Sequence, residues 1–236
     1  MLFNLSRIAV AVTILVNATT FAFADEMRDA QAAYKRGDYA VAARIFQKLA
    51  DNGNSDAETR LGQMYWNGQG VEQDFAMAAR LYFSASERGD SQAQVLLGQL
   101  YFEGVGVVQD DAQAAKWFRA AADQGVVSAE SILAYMYRNG RGLKQSDVEA
   151  VKWFRKAADT GDANAQWRLG DLYRLGQGVP QDFVLAHMWF NLSAAKGEQN
   201  AIVLRELVSK HMTPEQIAEA QKLARDWKPA PPSSQD

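Results

Sequence analysis

The stretch AAKWFRAAADQG at residues 114–125 returns 36 residues later as AVKWFRKAADTG at 150–161, with nine of the twelve letters unchanged. Self-similarity at a fixed period constrains a fold more than any single motif. Each copy has to build the same local unit and bury its apolar face against the next. Sliding the chain along itself by 36 aligns four copies. Leu61-Gly62 recurs as Leu97-Gly98, Leu133-Ala134 and Leu169-Gly170. A tyrosine follows four residues after each leucine, at Tyr65, Tyr101, Tyr137 and Tyr173. A G-x-G segment comes next, at Gly68/Gly70, Gly104/Gly106, Gly140/Gly142 and Gly176/Gly178, then Asp74, Asp110, Ser146 or Asp182. Each copy closes on an alanine-rich stretch around Leu81-Tyr82, Trp117-Phe118, Trp153-Phe154 or Trp189-Phe190, and on Gly89, Gly125, Gly161 or Gly197.

The spacing predicts two helices per copy. In the first, helix A, Ala57, Leu61-Gly62 and Tyr65 share one helical face, and Gly62 lets a neighbouring helix come close. The G-x-G segment ends it, because glycine takes the left-handed C-cap conformation without a Cβ clash. Asp74 and its counterparts stand where the second, helix B, needs an acceptor for its orphan N–H groups. Ser146-x-x-Glu149 reads as a full capping box and Asp110-x-x-Gln113 resembles one. Before residue 54 the plan returns with a shorter loop: Asp38, Ala42, Ala43, Phe46 and Gly53 match Asp74, Ala78, Ala79, Tyr82 and Gly89. After Ala201 the pattern decays. Thr213-Pro214-Glu215-Gln216 starts a last helix that reaches about Trp227. Residues 228–236 (KPAPPSSQD) read as a disordered tail.

The recurring pattern A-x3-L-G-x2-Y-x2-G-x-G-V-x2-D-x3-A-x2-W-F-x2-A-A-x2-G resembles the Sel-one-like repeat family, a branch of the tetratricopeptide-type solenoids. The resemblance is strong over 54–197 and loose over 26–53 and 198–227. It departs at Ala134, Leu143, Ser146 and Leu81. It implies an all-α fold, a right-handed superhelical α/α solenoid of stacked antiparallel helix pairs. The expected order is a signal peptide (1–24) and a tetratricopeptide-like N-terminal cap (25–53). Four repeats (54–89, 90–125, 126–161 and 162–197) follow, then C-terminal capping helices (198–227) and the tail.

The leader reading rests on Arg7, an apolar run from Ile8 to Val16 and the small-residue end Ala22-Phe23-Ala24. That plan predicts cleavage before Asp25 and a periplasmic or secreted product. The run is too short to span about 30 Å of hydrocarbon. With no cysteine and a net charge of −3, neither a disulfide framework nor a basic nucleic-acid footprint is available.

Several short patterns imitate catalytic motifs. Asp159-Thr160-Gly161 aligns with Asp123-Gln124-Gly125 and Glu87-Arg88-Gly89, so it reads as the end of a helix B. Ser193-x-x-Lys196 lacks the companion elements of penicillin-binding enzymes, and alanines hold the serine's position in the other copies. The G-x-G loops lack the third glycine and preceding strand of a dinucleotide site. With His187 and His211 the only histidines, no metal-ligand cluster can be drawn. No cofactor is expected. The resemblance extends to cysteine-rich secreted members linked to β-lactam chemistry, and a chain without cysteine does not inherit that link.

Function is therefore sought where the copies differ. Solenoids of this type commonly bind partners on the concave side, along helix A. Opposite the packing residues lie three columns that vary: Thr59, Val95, Ser131 and Trp167; Gln63, Gln99, Tyr135 and Asp171; Trp66, Phe102, Arg138 and Arg174. The last changes from aromatic to basic, and aromatics with arginine are common interface anchors. The expectation is a non-enzymatic scaffold or adaptor whose groove takes a protein or peptide segment, acidic at one end and apolar at the other, in envelope signalling or assembly. The bland alternative is that Trp66 and Phe102 pack on the adjacent helix while Arg138 and Arg174 are solvated. Two other readings are an enzyme or binder acting on cell-wall peptides or β-lactams, and a secreted effector engaging a host protein.

Overall fold

The computed structural model describes residues 24–230. The expected leader up to residue 23 and the tail from residue 231 lie outside the described residues. Regular structure among the described residues is helical throughout. Helix α1 covers 24–36. It is followed by α2 (Tyr39–Asp51), α3 (Ser55–Asn67), α4 (Phe75–Glu87) and α5 (Ser91–Glu103). Then come α6 (Asp111–Asp123), α7 (Val127–Asn139), α8 (Asp147–Asp159), α9 (Ala163–Leu175) and α10 (Phe183–Ala194), and finally α11 (Gln199–Ser209) and α12 (Pro214–Asp226). The fold is an all-α solenoid of helix pairs. The chain forms two compact units, one ending at Val108 and one beginning at Gln109.

In the first unit α2 packs on α3, α3 on α4, and α4 on α5. Its core joins Ala30, Ala42, Phe46, Leu49, Ala57, Leu61 and Met64. In the second unit α6 packs on α7, α7 on α8, α8 on α9, and α9 on α10, which carries both α11 and α12. Phe154, Leu169, Leu172, Trp189, Phe190 and Val208 fill that core. The aromatic column predicted to fill one gap in each copy does so: Phe46, Tyr82, Phe118, Phe154 and Phe190 are all fully buried. Burial also pushes the Tyr82 phenol above its usual range. The leucine-glycine pair supplies the space. A Cβ on Gly62 would lie 2.5 Å from Tyr82 Cε1, and one on Gly170 would lie 2.8 Å from Phe190 Cε1.

Each G-x-G loop performs two tasks. Its first glycine is the αL C-cap of helix A, as at Gly68 and Gly140 (both φ 66°). Its second glycine lies against the first turn of the preceding helix B: Gly70 on Tyr39, Gly106 on Phe75, Gly142 on Asp111 and Gly178 on Asp147. A Cβ there would overlap main-chain atoms, so this glycine sets how closely successive pairs stack. Beside Gly142, Arg141 reinforces the contact with two bonds to Asp111, of 3.1 and 2.7 Å. A glutamine before α4, α8 and α10 adds a brace that the sequence pattern did not single out. Gln73, Gln145 and Gln181 donate to the carbonyls of Trp66, Arg138 and Arg174 at 2.7, 3.0 and 2.8 Å.

Capping follows expectation at Asp74, Asp110 and Asp182, whose side chains accept from the first helical N–H groups. The last helix carries a complete box, Thr213 with Gln216. Three expectations need correction. Ser146 accepts from Glu149 N, but the Glu149 carboxylate turns to Lys152 Nζ (2.5 Å) instead of returning to the cap. Asp110 likewise has only its own half of a box, accepting from Ala112 N and Gln113 N. Asp38 makes no side-chain cap; its carboxylate accepts from Arg36 Nε at 3.0 Å.

Gly142 and Gly197 separate the two demands on glycine. Both have positive φ, 66° and 88°, but nothing lies within 4 Å of a Cβ built on Gly197. Gly142→Ala is expected to lower the unfolding free energy by about 3 kcal/mol, the left-handed cost plus overpacking. Gly197→Ala is expected to lose about 1 kcal/mol. Urea titration of the two variants checks the difference.

Candidate functional site

Apart from Thr59, the varying columns of helix A place their residues on one face of α3 and α5 in the first unit and of α7 and α9 in the second. In the first unit, Gln99 is exposed and Val95 and Phe102 are half-buried. Trp66 sits edge-on against Phe75, with ring centroids 4.6 Å apart, so it packs within its own helix pair. Gln63 lines a cavity of about 260 Å³ between α1 and α3, with Gln31, Tyr34, Lys35, Phe46 and Arg60. Tyr34 Oη donates to Gln69 Oε1 at 2.8 Å along its edge. Thr59 does not belong to the face. It is 1% exposed, and its hydroxyl donates back to Ser55 O at 3.0 Å. A short β-branched side chain near the start of a helix bonds its own backbone, which leaves a partner nothing to touch.

In the second unit the expected basic residues are organised rather than solvated. Asp171 is 8% exposed and stands between two guanidiniums. Arg174 reaches its Oδ1 from Nε (2.9 Å) and Nη2 (2.6 Å). Arg138, one repeat away, reaches Oδ2 from Nη2 at 3.4 Å and Gln177 Oε1 at 3.2 Å. Asp171 is thus the centre of the cluster and not a contact surface in its own right. Arg168 stacks over Trp167 at 4.6 Å. Burial and the like charge of Arg138 hold its pKa below the usual range. Tyr135, 38% exposed, completes a surface with three guanidiniums and one carboxylate.

The 36-residue register also continues where the sequence pattern was read as decaying. Trp167, Asp171 and Arg174 correspond to Val203, Leu207 and Lys210, all on or just after α11, which packs on α9 and α10. Between α9 and α11 lies a cavity of about 280 Å³ lined by Arg174, Leu175, Phe183, Leu207, Val208 and His211. The His211 ring stacks on Phe183 with centroids 5.7 Å apart. Helical phase, without the Leu-Gly-Tyr letters, was the signal that could have found this face.

Buried polar groups serve the stack. Gln94 and Gln166 donate at 3.2 Å to Ser86 O and Ala158 O, carbonyls near the end of the preceding helix B. At the equivalent position Glu130 cannot donate, and Lys156 replaces it, contacting Glu130 at 3.1 Å and donating to Ala122 O at 3.1 Å. The Glu58 carboxylate accepts from Ser84 at 2.7 Å. The serine-lysine pair of the S-x-x-K string points to separate backbone carbonyls: Ser193 Oγ to Ala163 O at 2.6 Å, and Lys196 Nζ to Gly161 O. His187 is 3% exposed, and burial with the charge of Arg205 lowers its pKa. Among the described residues no group of three or more His, Asp or Glu could hold a metal ion.

The Sel1 repeat family model matches residues 55–90, 91–126, 127–162 and 163–198. Two crystal structures share the fold closely. One is a protective antigen present in uropathogenic Escherichia coli strains, displaying an SLR fold. It is 32% identical over 88% of this chain, with a TM-score of 0.78, and the chain spans 46% of its length. The other is a Sel1 repeat protein from Oxalobacter formigenes. It is 28% identical, covering 86% of this chain and 85% of that one, with a TM-score of 0.75. No curated protein matches the chain.

Two substitutions test the electrostatics. Burial raises the Glu130 pKa above the ordinary carboxylate value while Lys156 opposes the shift. A folded pKa above the unfolded one means the folded state binds the proton more tightly, so stability falls as pH rises through that window. Glu130→Gln restores the Gln94 arrangement. It is expected to remove this slope and raise stability at neutral pH by about 1 kcal/mol, read from chemical denaturation at acidic and neutral pH. Asp171→Ala leaves Arg138 and Arg174 facing each other and is expected to cost about 2 kcal/mol, with part of the loss recovered in high salt.

Proposed function

The chain belongs to the Sel1 repeat family, whose members are generally protein-interaction scaffolds, and on that premise we propose that it is a non-enzymatic adaptor binding a protein segment along the helix-A faces. One observation carries the reading. The repeating leucines, the alanines and the aromatics Tyr82, Phe118, Phe154 and Phe190 are buried in the stack, while Gln99, Phe102, Tyr135, Arg138, Trp167 and Arg174 keep side chains partly or fully open to solvent. A surface whose chemistry changes along a constant scaffold suits recognition of one particular partner. The second unit supplies the cationic and aromatic anchors. Within the first unit, the same columns carry Gln99 and Phe102, and a cavity there is edged by Lys35 and Arg60.

No helix among the described residues is long and apolar enough to cross a membrane. The leader-like start of the sequence supports export, and the proposed place of action is the periplasm or the medium, in envelope signalling or assembly. Mass spectrometry of the protein from intact cells is expected to find a chain beginning at Asp25 in the exported fraction. A full-length product retained in the cytoplasm would remove that part of the proposal.

A photo-crosslinking residue placed at Gln99 or Tyr135 is expected to capture the same partner in intact cells. The same residue at Lys152, exposed on helix B, is expected to capture nothing. Capture from Lys152 with silence at Gln99 and Tyr135 would show that the helix-A faces are not the binding surface.

A further inference from the structure

In the second unit the third varying column of α7 faces the second column of α9, and Arg174 of α9 shares a cavity with Leu207 of α11. Between α7 and α9 the junction is closed internally: Arg138 finds Asp171, with Gln177 beside it. Between α9 and α11 the corresponding residues are Arg174 and Leu207. A leucine cannot answer a guanidinium. Arg174 turns back to Asp171 in its own helix, already shared with Arg138. Those bonds use its Nε and Nη2.

The space that an acidic side chain would occupy is open. It is the cavity of about 280 Å³ whose lining joins Arg174, Gln181 and His211 with the apolar Phe183, Leu207 and Val208. Leu175 and Leu207 in its lining are 40% and 41% exposed, apolar surface with a cation beside it. A carboxylate here would meet a guanidinium already oriented by its bonds to Asp171, so little side-chain freedom remains to be lost on binding.

Building on the helix-A reading above, we propose that the α9–α11 junction receives the C-terminal residue of a partner chain. That residue is apolar and of leucine size; its carboxylate binds Arg174 and its side chain fills the cavity beside Phe183 and Leu207. A terminal residue is the occupant that fits, because it carries a carboxylate and an apolar side chain on one Cα. That is the spacing required when Arg174 and Leu207 line the same small cavity. The partner's carboxylate does at this junction what Asp171 does at the one before it.

The probe is N-acetylleucine, titrated into the full chain while amide and arginine Nε–H NMR signals are followed. The expected result is perturbation at Arg174 Nε and at the amides of Phe183, Leu207 and Val208. N-acetylleucinamide, lacking the charge, and N-acetylalanine, lacking the bulk, should each bind at least about ten-fold more weakly. Leu207→Asp installs the carboxylate that the preceding junction has, and is expected to weaken binding about ten-fold with the fold intact. Arg174→Gln, whose side-chain contact lies within α9, gives the same loss should Leu207→Asp unfold.

The proposal is overturned if the carboxamide binds as tightly as the acid, or if the perturbed signals lie elsewhere. It also falls if binding survives Arg174→Gln. Equal affinity for acetyl-aspartyl-leucinamide overturns the terminal assignment in favour of an internal acidic segment. Crosslinks at Tyr135 that persist while N-acetylleucine leaves α9 and α11 unperturbed overturn this receptor alone. Loss of both overturns the helix-A reading with it.

Discussion

The close approach of each loop's second glycine to the helix before it governs the rest of the structure. At Gly70, Gly106, Gly142 and Gly178 the loop backbone lies directly on the first turn of the preceding helix B, with no side chain between. That contact fixes the separation of successive pairs. The separation in turn determines which side chains fit the gap: an aromatic from helix B, a leucine and a glycine or alanine from helix A. It also explains why the register holds at 36 through four copies, since an insertion in any loop would lift the glycine off its seat.

Within this frame polar atoms are distributed by the same geometry. The ends of each helix B leave carbonyls that need donors. Glutamine meets the need from the following helix A at Gln94 and Gln166. Where evolution has placed Glu130 instead, Lys156 supplies the donor and neutralises the acid. A buried carboxylate with a half-exposed lysine here does a neutral side chain's task.

The fold was legible because its information is local and repeated. Caps, αL glycines and the apolar face of helix A each recur at fixed intervals, so Asp74, Asp110 and Asp182 could be assigned from any one of them. The site was only partly legible, for two physical reasons. A helical-wheel argument cannot see tertiary partners: Arg138 was read as free, whereas its acceptor lies 33 residues further on in the next repeat. Nor can it see how far a short side chain reaches, which is why Thr59 was placed on a surface it never touches. The face on α11 was passed over because Val203 and Leu207 share no letters with the residues whose positions they occupy. Register and packing reveal them, and letter matching does not.

Two of the ion-paired arrangements of the second unit differ in how they are divided along the chain. Glu130 and Lys156 both belong to the stretch 127–162, so a duplication or deletion of that whole repeat carries acid and base together. Arg138 and Asp171 belong to different stretches, 127–162 and 163–198, and any rearrangement between them separates the two charges. The scaffold can therefore lengthen or shorten by whole units without stranding a buried carboxylate. A change in repeat number alters the charged surface at the seams before it alters whether the chain folds.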